Sequence, residues 1–317
     1  MKIKWGFFLL FVCQTVWAGT PITRSFEFLR MDFNPRTVGA AGAFSTLSGD
    51  IGTMLQNPAG MAGMENHAQY MFSFNRYLLD INGGQMAYGF KKEGWGTLSA
   101  AITFLNYGEF KETDDFARET GNTFSANDLS LNVSLSDWLA PGLSYGVTLK
   151  YIYSEIADYN ASAAAVDFGL LWDVPYDQDI KLGVAVSNLG VNFEYYGNVK
   201  DRLPLDIRLG LSKKLAHLPL TLAVSLVHLA DPVERFTEYF KRCTVGGEFV
   251  ISPALRLRLG YDYGLNQDLK TDLQGSAFGG VSGGVAFYYN QFRFDYAYNN
   301  YNLLGAVHMF SLSGTLP

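Results

Sequence analysis

The chain of 317 residues is poor in charge, in cysteine and in long apolar runs. Charged residues make up 17%, against about 25% in ordinary water-soluble proteins, so much of its surface is matched to something other than water. Only Cys13 and Cys243 occur, and Cys13 falls in an N-terminal leader. Cys243 alone makes no intramolecular disulfide and no cysteine-based metal site. His67, His217, His228 and His308 are scattered without metal-ligand spacing, so no metal and no cofactor are expected. Beyond the first 18 residues no apolar run approaches the ~20 residues of a membrane helix, which excludes a helical membrane protein. The net charge is −6, and −8 once Lys2 and Lys4 are removed with the leader, which argues against a nucleic-acid partner.

What the chain has instead is glycine (33 residues), Tyr (19), Phe (24) and a strict two-residue beat. In Leu255-Arg256-Leu257-Arg258-Leu259-Gly260-Tyr261-Asp262-Tyr263 the odd residues are apolar and the even ones charged or small. Phe292 to Tyr298 repeats the pattern, as do Leu129 to Ser136 and Leu205 to Ser212. Strand side chains point alternately to opposite faces, so each segment has one oily and one wet face. A soluble β-sandwich would show the same period. Its connections, however, would not alternate in length. Strands are expected at 67–77, 83–91, 95–105, 127–137, 143–154, 164–173, 179–189, 205–214, 220–229, 243–251, 255–263, 278–289, 291–299 and 306–315. Short turns such as Lys92-Glu93-Gly94 and Ser252-Pro253-Ala254 then fall at one end. The other end collects Asn106 to Ala126, Glu155 to Ala163, Gly190 to Pro204, Ala230 to Arg242 and Gly264 to Ala277. An even count, short turns at one end and long loops at the other specify an all-β, 14-stranded antiparallel transmembrane barrel, its short turns periplasmic.

The N-terminus carries an export signal. Lys2 and Lys4 precede the apolar Trp5 to Val12, and Val16-Trp17-Ala18 fits a signal-peptidase site, with Gly19 starting the mature chain. The expected divisions are a signal peptide at 1–18, a non-strand segment at 19–66 and the barrel at 67–317, placed in the outer membrane of a diderm bacterium. An uncleaved anchor would need a longer apolar stretch, and a lipoprotein reading of Cys13 would need Gly, Ala or Ser before it where Val12 stands.

Residues 19–66 lack alternation and are rich in small residues, notably Val38-Gly39-Ala40-Ala41-Gly42-Ala43, Ser48-Gly49-Asp50-Ile51-Gly52 and Asn57-Pro58-Ala59-Gly60-Met61. Small residues let backbone approach a wall, and Asn-Pro-Ala-Gly reads as a rigid turn, so a plug inside the lumen is expected rather than a charged tail. Phe26-Glu27-Phe28-Leu29, Pro35-Arg36-Thr37-Val38-Gly39-Ala40-Ala41-Gly42-Ala43-Phe44, Asp50 and Gln56-Asn57-Pro58-Ala59-Gly60-Met61 together resemble the opening of the PorV/PorQ family. The Asn-Pro-Ala signal also looks like the N-terminal hatch of the FadL fatty-acid transporters, whose barrel has 14 strands. The resemblance makes Arg36, Asp50, Asn57, Pro58, Ala59 and Gly60 the candidate hatch residues. It implies association with type IX secretion or cargo proteins at the cell surface first. FadL-like transport of fatty acids or other hydrophobic compounds is the alternative. Outer-membrane lipids are partners in either case.

Lys150, Asp206, Arg208, Arg256, Arg258, Asp262, Arg293 and Asp295 share inward parity. They are either a site for an anionic head group or partners that pair across the wall and with the plug, since unpaired burial is costly. Tyr145, Tyr151, Tyr153, Tyr261, Tyr263, Tyr296 and Tyr298 face lipid and suit an interfacial girdle. Gly280-Val281-Ser282-Gly283-Gly284 spells a hydrolase nucleophile elbow, but no helix follows it, and no enzyme is expected. Glu112-Thr113-Asp114-Asp115 with Glu119 reads as a solvated acidic loop or a weak cation site. Val233, Phe236, Tyr239 and Phe240 stand at helical spacing in an outer loop, and Phe193, Tyr195 and Tyr196 crowd another; both loops either bind a partner or shield the mouth.

Overall fold

A computed structural model describes residues 24–65, 67–177, 179–197, 200–270 and 278–316. The signal peptide expected at 1–18 and residues 271–277 lie outside the described residues. Fourteen antiparallel strands close into a barrel, each pairing with its neighbours in sequence. They are β1 (Ala68–Arg76), β2 (Asn82–Lys92), β3 (Gly96–Thr113), β4 (Glu119–Ala140), β5 (Leu143–Ile156), β6 (Tyr159–Asp173) and β7 (Ile180–Glu194). The wall continues with β8 (Asp206–Lys214), β9 (Leu220–Leu226), β10 (Cys243–Ser252), β11 (Leu255–Asp262), β12 (Val281–Tyr289), β13 (Phe292–Asn300) and β14 (Ala306–Leu316). β1 zips to β14 from Ala68↔Leu316 to Arg76↔His308, so the wall has no free edge. Closure is what permits strands in lipid, because every backbone N–H and C=O of the wall finds a partner inside it.

Alternation becomes orientation. On β4, Ser130, Asn132, Ser134 and Ser136 are buried towards the lumen, while Leu131 and Val133 are exposed on the outer face. On β5, Thr148, Lys150 and Ile152 turn inward and Leu149 and Tyr151 outward. The outer surface is thus an apolar belt that no other described residues cover, as a bilayer requires.

Three sequence expectations are corrected. The stretch Asn106 to Ala126 is not a loop: β3 and β4 run on as a two-stranded ribbon, pairing Glu109↔Ser125 to Thr113↔Glu119. The neighbouring strands stop at Asn82↔Asn106 and Ala126↔Ile156, so the ribbon stands roughly 20 Å proud of the rim at about 3.3 Å per residue. Glu155 to Ala163 is likewise strand around a tight turn at Ala157, whose φ of 52° makes the reversal without glycine. Tyr263 leaves the wall, because Asp262 ends β11 by capping a short helix, α2 (Tyr263–Asp268), accepting from the Leu265 N–H at 2.9 Å. Around the other loops, Phe236–Arg242 forms a 3₁₀ turn whose Phe236 and Phe240 stand exposed.

Leu149 is central in β5 and 60% exposed. Leu149→Arg is expected to cost about 2–4 kcal/mol when folding is measured in lipid vesicles, as for a cation on a lipid-facing strand centre.

Candidate functional site

The candidate site is the lumen, and residues 24–65 fill its middle. Their local structure is a chain of capped turns. Asn34 caps a single α-turn, α1 (Pro35–Val38), by accepting the Arg36 N–H at 3.0 Å, with Pro35 in the first helical position where no N–H is needed. Asp50 caps the 3₁₀ turn Ile51–Leu55 through Oδ1, and Asn57 caps Pro58–Gly63. Asn57, Pro58, Ala59 and Gly60 thus open a capped turn. The Asn57 amide also donates to the carbonyls of Ser45 (2.9 Å) and of Leu170 on β6 (3.2 Å), while the Ala59 carbonyl accepts from Ser136 (3.3 Å) and Ser144 (3.1 Å). Gly60 sits against the Leu47 carbonyl with no room for a side chain.

A ring of inward-facing wall glycines receives this segment. A Cβ at Gly146 would strike Pro58, at Gly169 Asn57, at Gly183 the Ser45 carbonyl, at Gly246 or Gly260 Ala40, and at Gly284 Gly39. Sequence reading found small residues in the plug but not their counterpart in the wall. The signal was there, since these glycines share inward parity on six strands.

The charged residues lock the assembly. Arg36 donates to Asp50 (3.0 Å) and to Glu248 on β10 (2.9 Å). Arg293 bridges Asp50 (2.7 Å) and Asp295 (2.6 Å), and Arg258 joins Glu248 (2.7 Å) to Asp295 (2.6 Å). Arg256 adds a 3.1 Å contact to Glu248 and lies 4.5 Å over the Tyr288 ring. Four arginines and three carboxylates therefore form one network from plug to wall. Burial works to raise the Asp50 carboxyl, but Arg293 and Arg36 hold it well below the usual carboxylate range. Glu248 is the member that sequence reading missed. Arg258 faces it directly across β10–β11, and reaches Asp295 on β13 because Gly284 intervenes on β12 without a side chain.

The remaining predicted lumen residues sit elsewhere. Lys150 pairs with Asp167 (2.7 Å) and Asn188 (2.8 Å) in a dry bulge between β6 and β7. Asp206 pairs with Arg208 at 2.7 Å, and Asp262 is committed to its cap. Asp32, in the plug, accepts from Thr37, the Asn34 N–H and Gln56; burial pushes its carboxyl up to about 6 against those hydrogen bonds. Ser282 lies within β12, at no strand-to-helix turn, and the acidic ribbon residues are engaged by Lys111, Arg118, Thr120 and Asn122.

Three cavities frame the plug. One of about 920 Å³ opens above it at the long-loop end and is lined by Val38, Gln56, Asn75 and Met309. One of about 540 Å³ lies below it, against Arg36, Leu47 and Arg256. The third, about 470 Å³, is held between the root of the β3–β4 ribbon and the start of the described chain, against Phe26, Tyr107, Phe110, Phe124, Ile156 and Tyr196. Phe110 and Phe124 stack there at 5.3 Å.

A plugged, closed barrel of fourteen strands has known counterparts among solved structures. The Pseudomonas putida toluene transporter TodX superposes with a TM-score of 0.59 at 12% identity, over 88% of this chain and 97% of that one. A Pseudomonas aeruginosa FadL homologue superposes with a TM-score of 0.52 at 13% identity, over 93% and 98%. The fold is that of the FadL-like barrels. The CymD monoaromatic hydrocarbon channel belongs to the same set, with a TM-score of 0.56 at 10% identity over 89% and 97%. No protein-family profile matches the chain, and no curated protein sequence does. At these identities FadL-like describes the architecture.

Two variants test how residues 24–65 are seated. Gly260→Val is expected to displace Ala40 and open the 24–65 segment to limited proteolysis without loss of the barrel's heat-resistant electrophoretic form. Asp50→Asn removes the shared partner of two buried arginines, and a loss of about 3–5 kcal/mol in plug anchoring is expected, read as raised ion conductance in planar bilayers.

Proposed function

We propose that this protein is an outer-membrane channel for small hydrophobic compounds, with residues 24–65 as its gate. The observation that carries the reading is the aromatic cavity at the ribbon root. It presents Phe26, Phe110, Phe124 and Ile156 at the outer end of the molecule, and against these walls an apolar molecule gains about 25 cal/mol per Å² of its own surface removed from water. The plug supports passage, because a single segment divides the upper from the lower cavity: Val38, Ala41 and Gly42 face one, and Arg36, Phe44 and Leu47 the other. Among the superposing proteins are a toluene transporter and a monoaromatic hydrocarbon channel.

A second reading, association with secretion or cargo proteins in the PorV/PorQ manner, draws on the N-terminal motif and on Phe236 and Phe240, which stand 74% and 59% exposed at the long-loop end. The two readings diverge in one experiment. Cells producing the protein are expected to take up a labelled monoaromatic hydrocarbon severalfold faster than cells producing Phe124→Asp at equal surface level. Equal uptake, with secreted proteins co-purifying from detergent extracts, would overturn the channel reading in favour of the second.

A further inference from the structure

The floor of the upper cavity carries amide groups that the protein does not use. Gln56, Asn75 and Asn299 all line it. Asn75 is 1% exposed, and among the described residues neither its Oδ1 nor its Nδ2 has a hydrogen-bond partner. Gln56 is 5% exposed; its NH₂ donates to Asp32, which fixes its orientation, and its Oε1 is unpaired. The Asn299 Oδ1 is unpaired as well. Two of these residues flank the seam of the wall. Asn75 on β1 is the register partner of Met309 on β14, and Asn299 on β13 is the partner of Val307, two residues earlier. Buried amides without partners are uncommon, and each costs the desolvation of the group, so a cluster of them at a cavity floor calls for a partner that the chain does not supply.

The chemistry of that partner follows from the count. The unpaired set is three acceptor oxygens and one NH₂ donor. A carboxylate, which only accepts, would meet three oxygens it repels. Among the described residues of this lining the arginines are engaged, Arg30 by Asp231 at 2.7 Å, Arg208 by Asp206 at 2.7 Å and Arg242 by the carbonyls of His228 and Asp231, while Lys241 stands 59% exposed at the outer rim beside Glu238 and away from the floor. A pure hydrocarbon would leave every amide unpaired. A hydroxyl fits, donating to one oxygen and accepting from the Asn75 NH₂, while its apolar body lies against Val38, Val307 and Met309.

We infer that the floor of the upper cavity is a recognition subsite for the uncharged hydroxyl of an apolar alcohol or phenol, held by Asn75 with Gln56 and Asn299. The inference rests on the channel reading and narrows its substrate class.

The test is binding of three probes of one chain length to the detergent-solubilised full-length protein by native mass spectrometry: octan-1-ol, octane and octanoate. Octan-1-ol is expected to bind about tenfold more tightly than octane, the effect of one well-made hydrogen bond, and octanoate more weakly than octan-1-ol. Asn75→Leu, similar in volume, is expected to abolish the preference, with octane bound at least as tightly as by the parent protein, and Gln56→Met to reduce it. Equal binding of octan-1-ol and octane by the parent protein would overturn the subsite, leaving the amides to ordered water, and so would octanoate binding as tightly as octan-1-ol. Failure of the channel reading is distinct: octan-1-ol would bind with the expected preference, yet vesicles containing the protein would admit it no faster than protein-free vesicles.

Discussion

A wall of fourteen strands encloses more room than its own inward side chains fill, and the interior of this molecule answers that constraint. Lipid outside forces the outward positions to be apolar; closure removes the sheet edges; the remaining task is the space within. The chain meets it with its own first forty-odd described residues rather than with larger wall side chains. Inward positions accordingly run to Ser, Thr, Asn, Ala and Gly, and the bulk comes from Phe26, Phe28, Met54 and Met61 of the plug.

A filler held by apolar contact alone would have many equivalent seats. The network of Arg36, Asp50, Glu248, Arg258, Arg293 and Asp295 has one, since each guanidinium must find two acidic partners at once. Buried ion pairs add little net stability against apolar replacements of the same shape, but a broken one is expensive, and that asymmetry gives a register. The glycine ring works with it. Charges set the plug's rotation, and missing side chains set how closely it approaches.

Much of this was legible before any coordinates. Leu255 to Tyr263 states its two faces residue by residue, and the fourteen segments and the inward parity of Arg258, Arg293 and Asp295 follow from such stretches. The β3–β4 ribbon was not legible, for a physical reason: beyond Asn106 the strands leave the bilayer, neither face needs lipid, and Glu109 to Glu119 loses the alternation that marks a strand. Glu248 escaped because its role depends on register across three strands and on the gap at Gly284. The Asn75 cluster escaped because an amide on an inward position looks like any other until the count of its partners is known.

The seam between β1 and β14 joins residues at opposite ends of the chain, Ala68 to Leu316. Such a pairing is the last that a strand-by-strand assembly can make, because its loop-closure entropy is the largest. Residues 24–65 precede β1, yet they contact wall strands on every side of the lumen. Once the seam has zipped, the segment can enter or leave the lumen only by an end of the cylinder. Tied to the wall on every side, the segment would open a path through the lumen more readily by a partial shift than by withdrawal along the axis.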